Sequence, residues 1–340
     1  MPNTIYLTRD FDQMSALAAD LVEADIRSRL AVRDEYVLGL ATGNTPTGLY
    51  KHLAKAFNAG RMDPWRVRTF NLDEYVGLPG ENAQQRTLHP ESFSRFMVSE
   101  LFGLLRRPLL ESNVPWGTLI DQDDLVRALA AQPEHHRLLG SGPGRAVAIG
   151  DGAEGILRMV EDEVLTAYEK KIVDAGGIDL HVIGVGERGH VAFHESGIPF
   201  DAGPMMLVEL DQNTIENAVA DGHFASVDRS PRYAVTMGAE LVYRARTVML
   251  LACGKRKTGT VIDSILGNVT CEVPISYGQR FVQSGGNLVH VLDETAAALV
   301  SACREEIEAR GCSIVDVRDQ PCESVSDLAF RRDPDTSRLT

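Results

Sequence analysis

Residues 36–50 read YVLGLATGNTPTGLY, and the change of pattern inside this stretch decides the fold. Tyr36–Ala41 is a continuous apolar run, as expected of a strand buried on both faces. Thr42–Thr45 is a turn in which Gly43 lets the backbone reverse tightly and approach a ligand. From Pro46 to Ala59 apolar residues recur at helical spacing, and Thr45 is placed to cap a helix whose first residue is Pro46. A helix start carries free N–H groups and partial positive charge, so Thr42, Gly43, Asn44 and Thr45 are candidates for binding a phosphate. The turn is neither a Walker loop nor GxGxxG, and a plain strand-to-helix connection reads equally well.

The same grammar repeats outward. Val67–Leu72 (VRTFNL), Leu180–Val185 (LHVIGV), Val248–Ala252 (VMLLA) and Asn287–Leu292 (NLVHVL) read as strands, and Met14–Leu30, Ile156–Ala175 and Lys257–Leu266 as helices. Apolar strands separated by helices indicate an α/β fold with a parallel sheet covered on both faces. Ligands of such sheets sit beyond the C-terminal strand ends. Two stretches depart from the pattern. Residues 113–151, which include QDDLVRALAAQPEHHRLLGSGPGRAVAIGDG, read as an insertion with one helix over Asp123–Ala131. After Asp316 the chain turns polar, and residues 317–340 read as a C-terminal tail disordered towards its end.

The 340 residues are 44% apolar, enough for one large α/β domain or two smaller ones. The net charge of −14, from 34 basic and 48 acidic side chains, repels nucleic acid and anionic lipid, so neither is expected as a partner. A phosphate ligand would need local basic groups. The five cysteines (Cys253, Cys271, Cys303, Cys312, Cys322) are odd in number and form no CxxC pair. That pattern speaks against a disulfide framework and a zinc site, and for free thiols in a reducing cytoplasm. The N-terminus MPNTIYLTRDFDQ has no apolar core of a signal peptide, and no apolar run approaches the ~20 residues that cross a membrane.

Three further motifs follow strands. Phe70-Asn71-Leu72-Asp73-Glu74-Tyr75 places two carboxylates at a strand end, where alternation lets at most one face a site. Gly184-Val185-Gly186-Glu187-Arg188-Gly189-His190 sets a histidine among glycines, with Glu195 five residues on to orient or charge-tune it. An imidazole exchanges protons near neutral pH. Gly254-Lys255-Arg256-Lys257 puts three cations where a helix begins, a conflict that a bound anion relieves. A solvated acidic loop, a structural histidine and a solvated basic turn are the plainer readings of the three.

Taken together, LGLATGNTPTGLY, FNLDEYVGLP with HPESFSRFM, GVGERGHVAFHE and YAVTMG followed by VMLLACGKRK resemble the glucosamine-6-phosphate deaminase family, in the family's order, over about Thr4 to Leu299. The resemblance implies a single doubly wound α/β domain, residues 1–316, of modified Rossmann topology. It implies a small-molecule sugar-phosphate substrate, either a monomer or a homo-oligomer, and chemistry without metal or organic cofactor. The phosphate would lie on the Thr42–Thr45 loop and Lys257. His190 matches the ring-opening histidine, Asp73 the base that moves the C2 proton to C1, and Glu195 the glutamate behind the histidine.

The chain also departs from the family. Arg188 stands where an acid or amide precedes the histidine, and a cation there disfavours imidazolium. Either it points elsewhere, pairs with Glu187 or Glu195, or grips an anionic group of a different substrate. Val219 occupies the place of a phosphate-binding arginine, His194 and Ser196 replace residues of the family's FNEP, and Pro204-Met205-Met206-Leu207 lacks the basic pair of an activator site. Two alternatives stay open: a 6-phosphogluconolactonase-like hydrolase, and a sugar-phosphate-binding regulator without catalysis.

Overall fold

In the computed structural model, which describes residues 3–186, 188–328 and 330, the strands are β1 (Asn3–Thr8), β2 (Tyr36–Leu40), β3 (Val67–Asn71), β4 (Asp73–Val76), β5 (Glu111–Asn113), β6 (His136–Leu139), β7 (Arg145–Ile149), β8 (Leu180–Ile183), β9 (Met205–Glu209), β10 (Tyr233–Met237), β11 (Thr247–Ala252), β12 (Asn287–Asp293) and β13 (Ser313–Asp316). The larger sheet has the order β13-β1-β12-β11-β8-β2-β3-β5 with every pairing parallel. β2, β8 and β11 are buried along their whole length, which is why they read as unbroken apolar runs. From β2 the chain winds towards β3, and from β8 towards β11 and β12, so the winding direction reverses between β2 and β8. A crevice opens at such a switch point.

A second sheet was not foreseen. It has the order β4-β10-β9-β7-β6, and its pairings are antiparallel. Part of residues 113–151 belongs to it: β6 and β7 form a hairpin whose inner strand pairs with β9. The helix Gln122–Ala131, capped by Asp121, sinks Leu125 into the core.

Helix α1 (Phe11–Leu30) begins at Asp10, whose carboxylate accepts the Gln13 N–H at 2.9 Å. Met14, Ala18, Val22 and Ile26, four residues apart, are buried on one face. Helix α2 (Thr47–Asn58) packs against it, and a Cβ at Gly48 would lie 2.2 Å from Ser15 Oγ and 2.9 Å from Val325 Cγ2. Only glycine lets the two helices and the C-terminal segment meet there. α2 starts at Thr47, with Pro46 in the cap position and no side-chain cap. This corrects the expected Thr45 cap: Thr45 stands one residue too far out, and the first amides of α2 are left without a side-chain acceptor. The chain after β13 lies on α1, where Gln13 Nε2 donates to Val317 O and Gln320 O. The last ten residues of the expected tail lie outside the described residues.

Candidate active site at the strand ends

The loops after β2, β3, β8 and β11 converge on a cleft of about 530 Å³ lined by Thr42, Gly43, Asn44, Thr45, Asp73, His190 and Lys257. A second cleft of about the same volume, between α1, α2 and the C-terminal segment, holds none of the residues singled out from sequence. Volume does not separate the two; the convergence of four motifs from four strand ends does.

Asp73 and Glu74, adjacent in sequence, face different neighbours. Glu74 is fully buried, and its carboxylate accepts from Ser92 Oγ (2.8 Å), Phe93 N (2.9 Å) and Ser94 N (3.0 Å). It thereby holds the start of the helix Phe93–Glu100, which ties the DEY and HPESF motifs together. Asp73 lines the cleft. Among the described residues no donor reaches its buried Oδ1. Burial, and then the neighbouring Glu74 charge, holds its carboxyl well above the usual carboxylate range.

His190 sits on a tight loop. Gly186 N–H donates to His190 O at 3.0 Å, and Gly189 has φ +77°. A Cβ at Gly186 would lie 1.9 Å from His190 Nε2, so the ring can occupy its place only above a glycine. Just beyond, Ala192 adopts φ +52°, a left-handed conformation that costs about 1–2 kcal/mol for a residue with a side chain. Burial first, and then the Lys257 and Arg188 charges against that of Asp211, push the His190 imidazole down to about 4, so it is neutral at pH 7. Its Nδ1 lies 3.7 Å from Glu195 Oε2. Glu195 itself is buried behind the ring rather than on the cleft, and burial pushes its carboxyl up to about 7.

Arg188 is not among the residues lining the cleft. Its Nη1 donates to Asp211 Oδ2 at 2.5 Å, a partner that sequence reasoning missed. Asp211 is buried, caps the helix Gln212–Ala220, and donates its own N–H to Glu195 Oε1 at 3.3 Å. Of the two pairings considered from sequence, Glu195 is not the ion-pair partner and Glu187 lies outside the described residues. Val219 lies on the same helix, packed against the apolar cluster that contains Phe193 and Phe224. His194 is structural: its Nδ1 accepts the Ala239 N–H and its Nε2 meets Ile198 O.

The cationic side of the cleft is the turn Lys255–Lys257. Gly254 turns it with φ +95°, and Asp293, at the end of β12, accepts Gly254 N–H (3.1 Å) and Cys253 Sγ (3.2 Å). Asp293 is a second positioning residue that sequence reasoning missed, since its role depends on β12 lying beside β11. The opposite wall is the start of α2, turned by Gly43 at φ +91°. The cleft thus brings together uncapped helix amides, a basic turn, a carboxyl and a neutral imidazole. Among the described residues no group of three or more His, Cys, Asp or Glu is placed to hold a metal ion, and no helix is long and apolar enough to cross a membrane.

The fold and site define an α/β protein with a candidate ligand cleft at the strand ends of its parallel sheet. No family model matches the chain. A glucosamine-6-phosphate deaminase of Clostridium perfringens is 31% identical over 296 residues, covering 87% of this chain and 99% of that protein. One from Clostridium acetobutylicum is 30% identical over the same shares. The chain belongs to the glucosamine-6-phosphate deaminase family. Among solved structures, a monomeric glucosamine-6-phosphate deaminase superposes with a TM-score of 0.64 at 23% identity, covering 87% of this chain and 99% of that one. A 6-phosphogluconolactonase from Trypanosoma brucei superposes with a TM-score of 0.55 at 18% identity over 87% and 98%, so the fold is shared by both kinds of enzyme.

Proposed function

We propose that this chain converts an amino-sugar phosphate, glucosamine 6-phosphate first among them, into the keto-sugar phosphate and ammonia. The observation that carries the reading is the meeting of Asp73 and His190 in one cleft with the uncapped start of α2 and Lys257. The phosphate lies between the Thr42–Thr45 loop and the basic turn, which leaves the sugar ring over the two titrating groups. Neutral His190 passes a proton between the ring oxygen and the C1 hydroxyl, opening the ring. Asp73, as carboxylate, takes the C2 proton and returns one to C1 through an enolamine. The C2 imine so formed adds water, and ammonia leaves from C2. Raised basicity suits a carboxylate that must remove a carbon-bound proton, since a base works best with a pKa near the working pH.

The site near Arg188 bears on the substrate. With its guanidinium on Asp211, Arg188 is not free to grip a carboxylate of a sugar acid, which removes the reason for a substrate other than an amino-sugar phosphate. The lactonase reading needs no C2 base, and so gives no purpose to the unpartnered Asp73 oxygen. Ammonia release from glucosamine 6-phosphate, measured beside acid release from 6-phosphogluconolactone, tests the choice. Acid release without ammonia selects the lactonase, and binding without either product selects the regulator. A monomer or a homo-oligomer acting in the cytoplasm fits the free thiols of all five cysteines.

A further inference from the structure

Behind His190 lies a buried line of charge that does not touch the cleft. His190 Nδ1 is 3.7 Å from Glu195 Oε2, Glu195 Oε1 accepts the Asp211 N–H at 3.3 Å, and Asp211 Oδ2 accepts Arg188 Nη1 at 2.5 Å. Both carboxylates are about 2% exposed, while the Arg188 side chain is roughly half-exposed. The β6–β7 turn closes the third side: a Cβ at Gly144 would lie 2.7 Å from Glu195 Cβ and 3.1 Å from Asp211 N. Two carboxylates enclosed this closely repel each other, and one cation serves the pair.

We infer that the Arg188–Asp211 ion pair is a positioning device for the Glu195–His190 couple: by neutralising Asp211 it favours the ionised form of Glu195 facing the imidazole, and it makes no contact with substrate. An ionised Glu195 favours the tautomer with a proton on Nδ1, which leaves Nε2 as the acceptor beside the cleft. A protonated Glu195 reverses that assignment and takes the acceptor away. Arg188 therefore acts on the histidine through Asp211 and Glu195, from outside the cleft. The charged groups around the couple are Arg188 on its own loop, Asp211 at the head of the helix Gln212–Ala220, and Lys257 on the turn after β11; the Thr214 hydroxyl also bonds Glu195. Arg188 lowers the Glu195 pKa and Asp211 raises it.

The kinetic part of the test rests on the deaminase reading; the spectroscopic part does not. Arg188→Met removes the cation, so the acidic limb of kcat/KM moves up by about one pH unit, which is about fivefold in kcat/KM at pH 7. KM for glucosamine 6-phosphate stays within about twofold, because Arg188 is not on the cleft. Asp211→Asn keeps an acceptor at the helix start and moves the limb the other way. Arg188→Lys restores the wild-type profile to within about threefold. In parallel, NMR of the His190 ring in the full-length, substrate-free proteins follows Glu195 ionisation directly, with inflections displaced in the same two opposite directions. A tenfold rise in KM for Arg188→Met with an unmoved limb would assign Arg188 to the substrate and overturn the inference. Unmoved ring inflections overturn it even if the wild-type protein releases no ammonia. Displaced inflections in an enzyme that releases none leave the inference standing and the deaminase reading refuted.

Discussion

Asp73 combines burial, a negative neighbour and an oxygen that no donor among the described residues reaches, a setting common at functional carboxyls. Asp73→Asn keeps size and loses the base, and it should lower kcat by about 10²–10⁴ with KM little changed. Ammonia release under saturating substrate measures this, and a variant with a tenth of wild-type kcat would remove Asp73 from the reaction. Because the working form is the carboxylate and its pKa is raised, activity should climb with pH as Asp73 ionises. Gly186 makes the complementary point. Gly186→Ala drives a methyl into the space of the His190 ring, so kcat should fall by at least about a hundredfold. Overall stability should change by about 1 kcal/mol, since the loop and not the core absorbs the clash. Asp73 and His190 were legible in sequence because each follows an apolar strand directly. Asp211 and Asp293 were not, because their partners lie 23 and 39 residues away in the chain and meet them only through the fold.

At the scale of elements, the strands read from sequence (β2, β3, β8, β11 and β12) are those with helices over both faces, and each was placed to within two residues. Burial on both faces is what makes a strand an unbroken apolar run. The strands of the second sheet escaped although they match β2, β3 and β8 in length, so length is not what hid them. β6, at its edge, carries exposed residues and no apolar period. The excursion over residues 113–151 therefore hid a hairpin whose turn closes over Glu195 and Asp211. Glu74 shows how such elements are tied. Its four accepted hydrogen bonds come from Tyr75, Ser92, Phe93 and Ser94, so it joins β4 to the helix Phe93–Glu100. Glu74→Ala leaves those donors buried and unpaired and should cost about 2–4 kcal/mol. It should also raise KM, because Glu91 and Phe93 line the cleft. Urea unfolding gives the first quantity and steady-state kinetics the second. A variant as stable as wild type would mean that the helix start is held by something other than Glu74.

For the whole molecule, the same burial that tunes the site sets its response to acid. His181, His290 and, with its two backbone partners, His194 are enclosed, while His190 is about a quarter exposed at the cleft, and burial is the leading cause that pushes each imidazole down to about 4. Their pKa in the unfolded chain is near 6.5. The folded pKa lies below the unfolded one, so the unfolded state binds more protons and stability falls as pH drops from about 6.5 towards 4. Glu195 works in the opposite sense: its folded pKa of about 7 lies above the unfolded value, so its contribution is complete below about 4.5 and is lost as pH rises to 7. Asp73 and Glu74, whose carboxyls burial also holds above the usual range, work in the same sense as Glu195 and offset part of what the imidazoles lose. Tm should therefore fall as pH drops from 6.5 to 4.5, by less than the four imidazoles alone would give. His290→Gln removes an enclosed imidazole whose only shift comes from burial, and so should flatten that slope by about one proton's worth. Circular dichroism melts at half-unit pH steps measure both. A slope that is the same in His290→Gln as in the wild type would show that this ring is hydrated in solution and that burial does not set its titration.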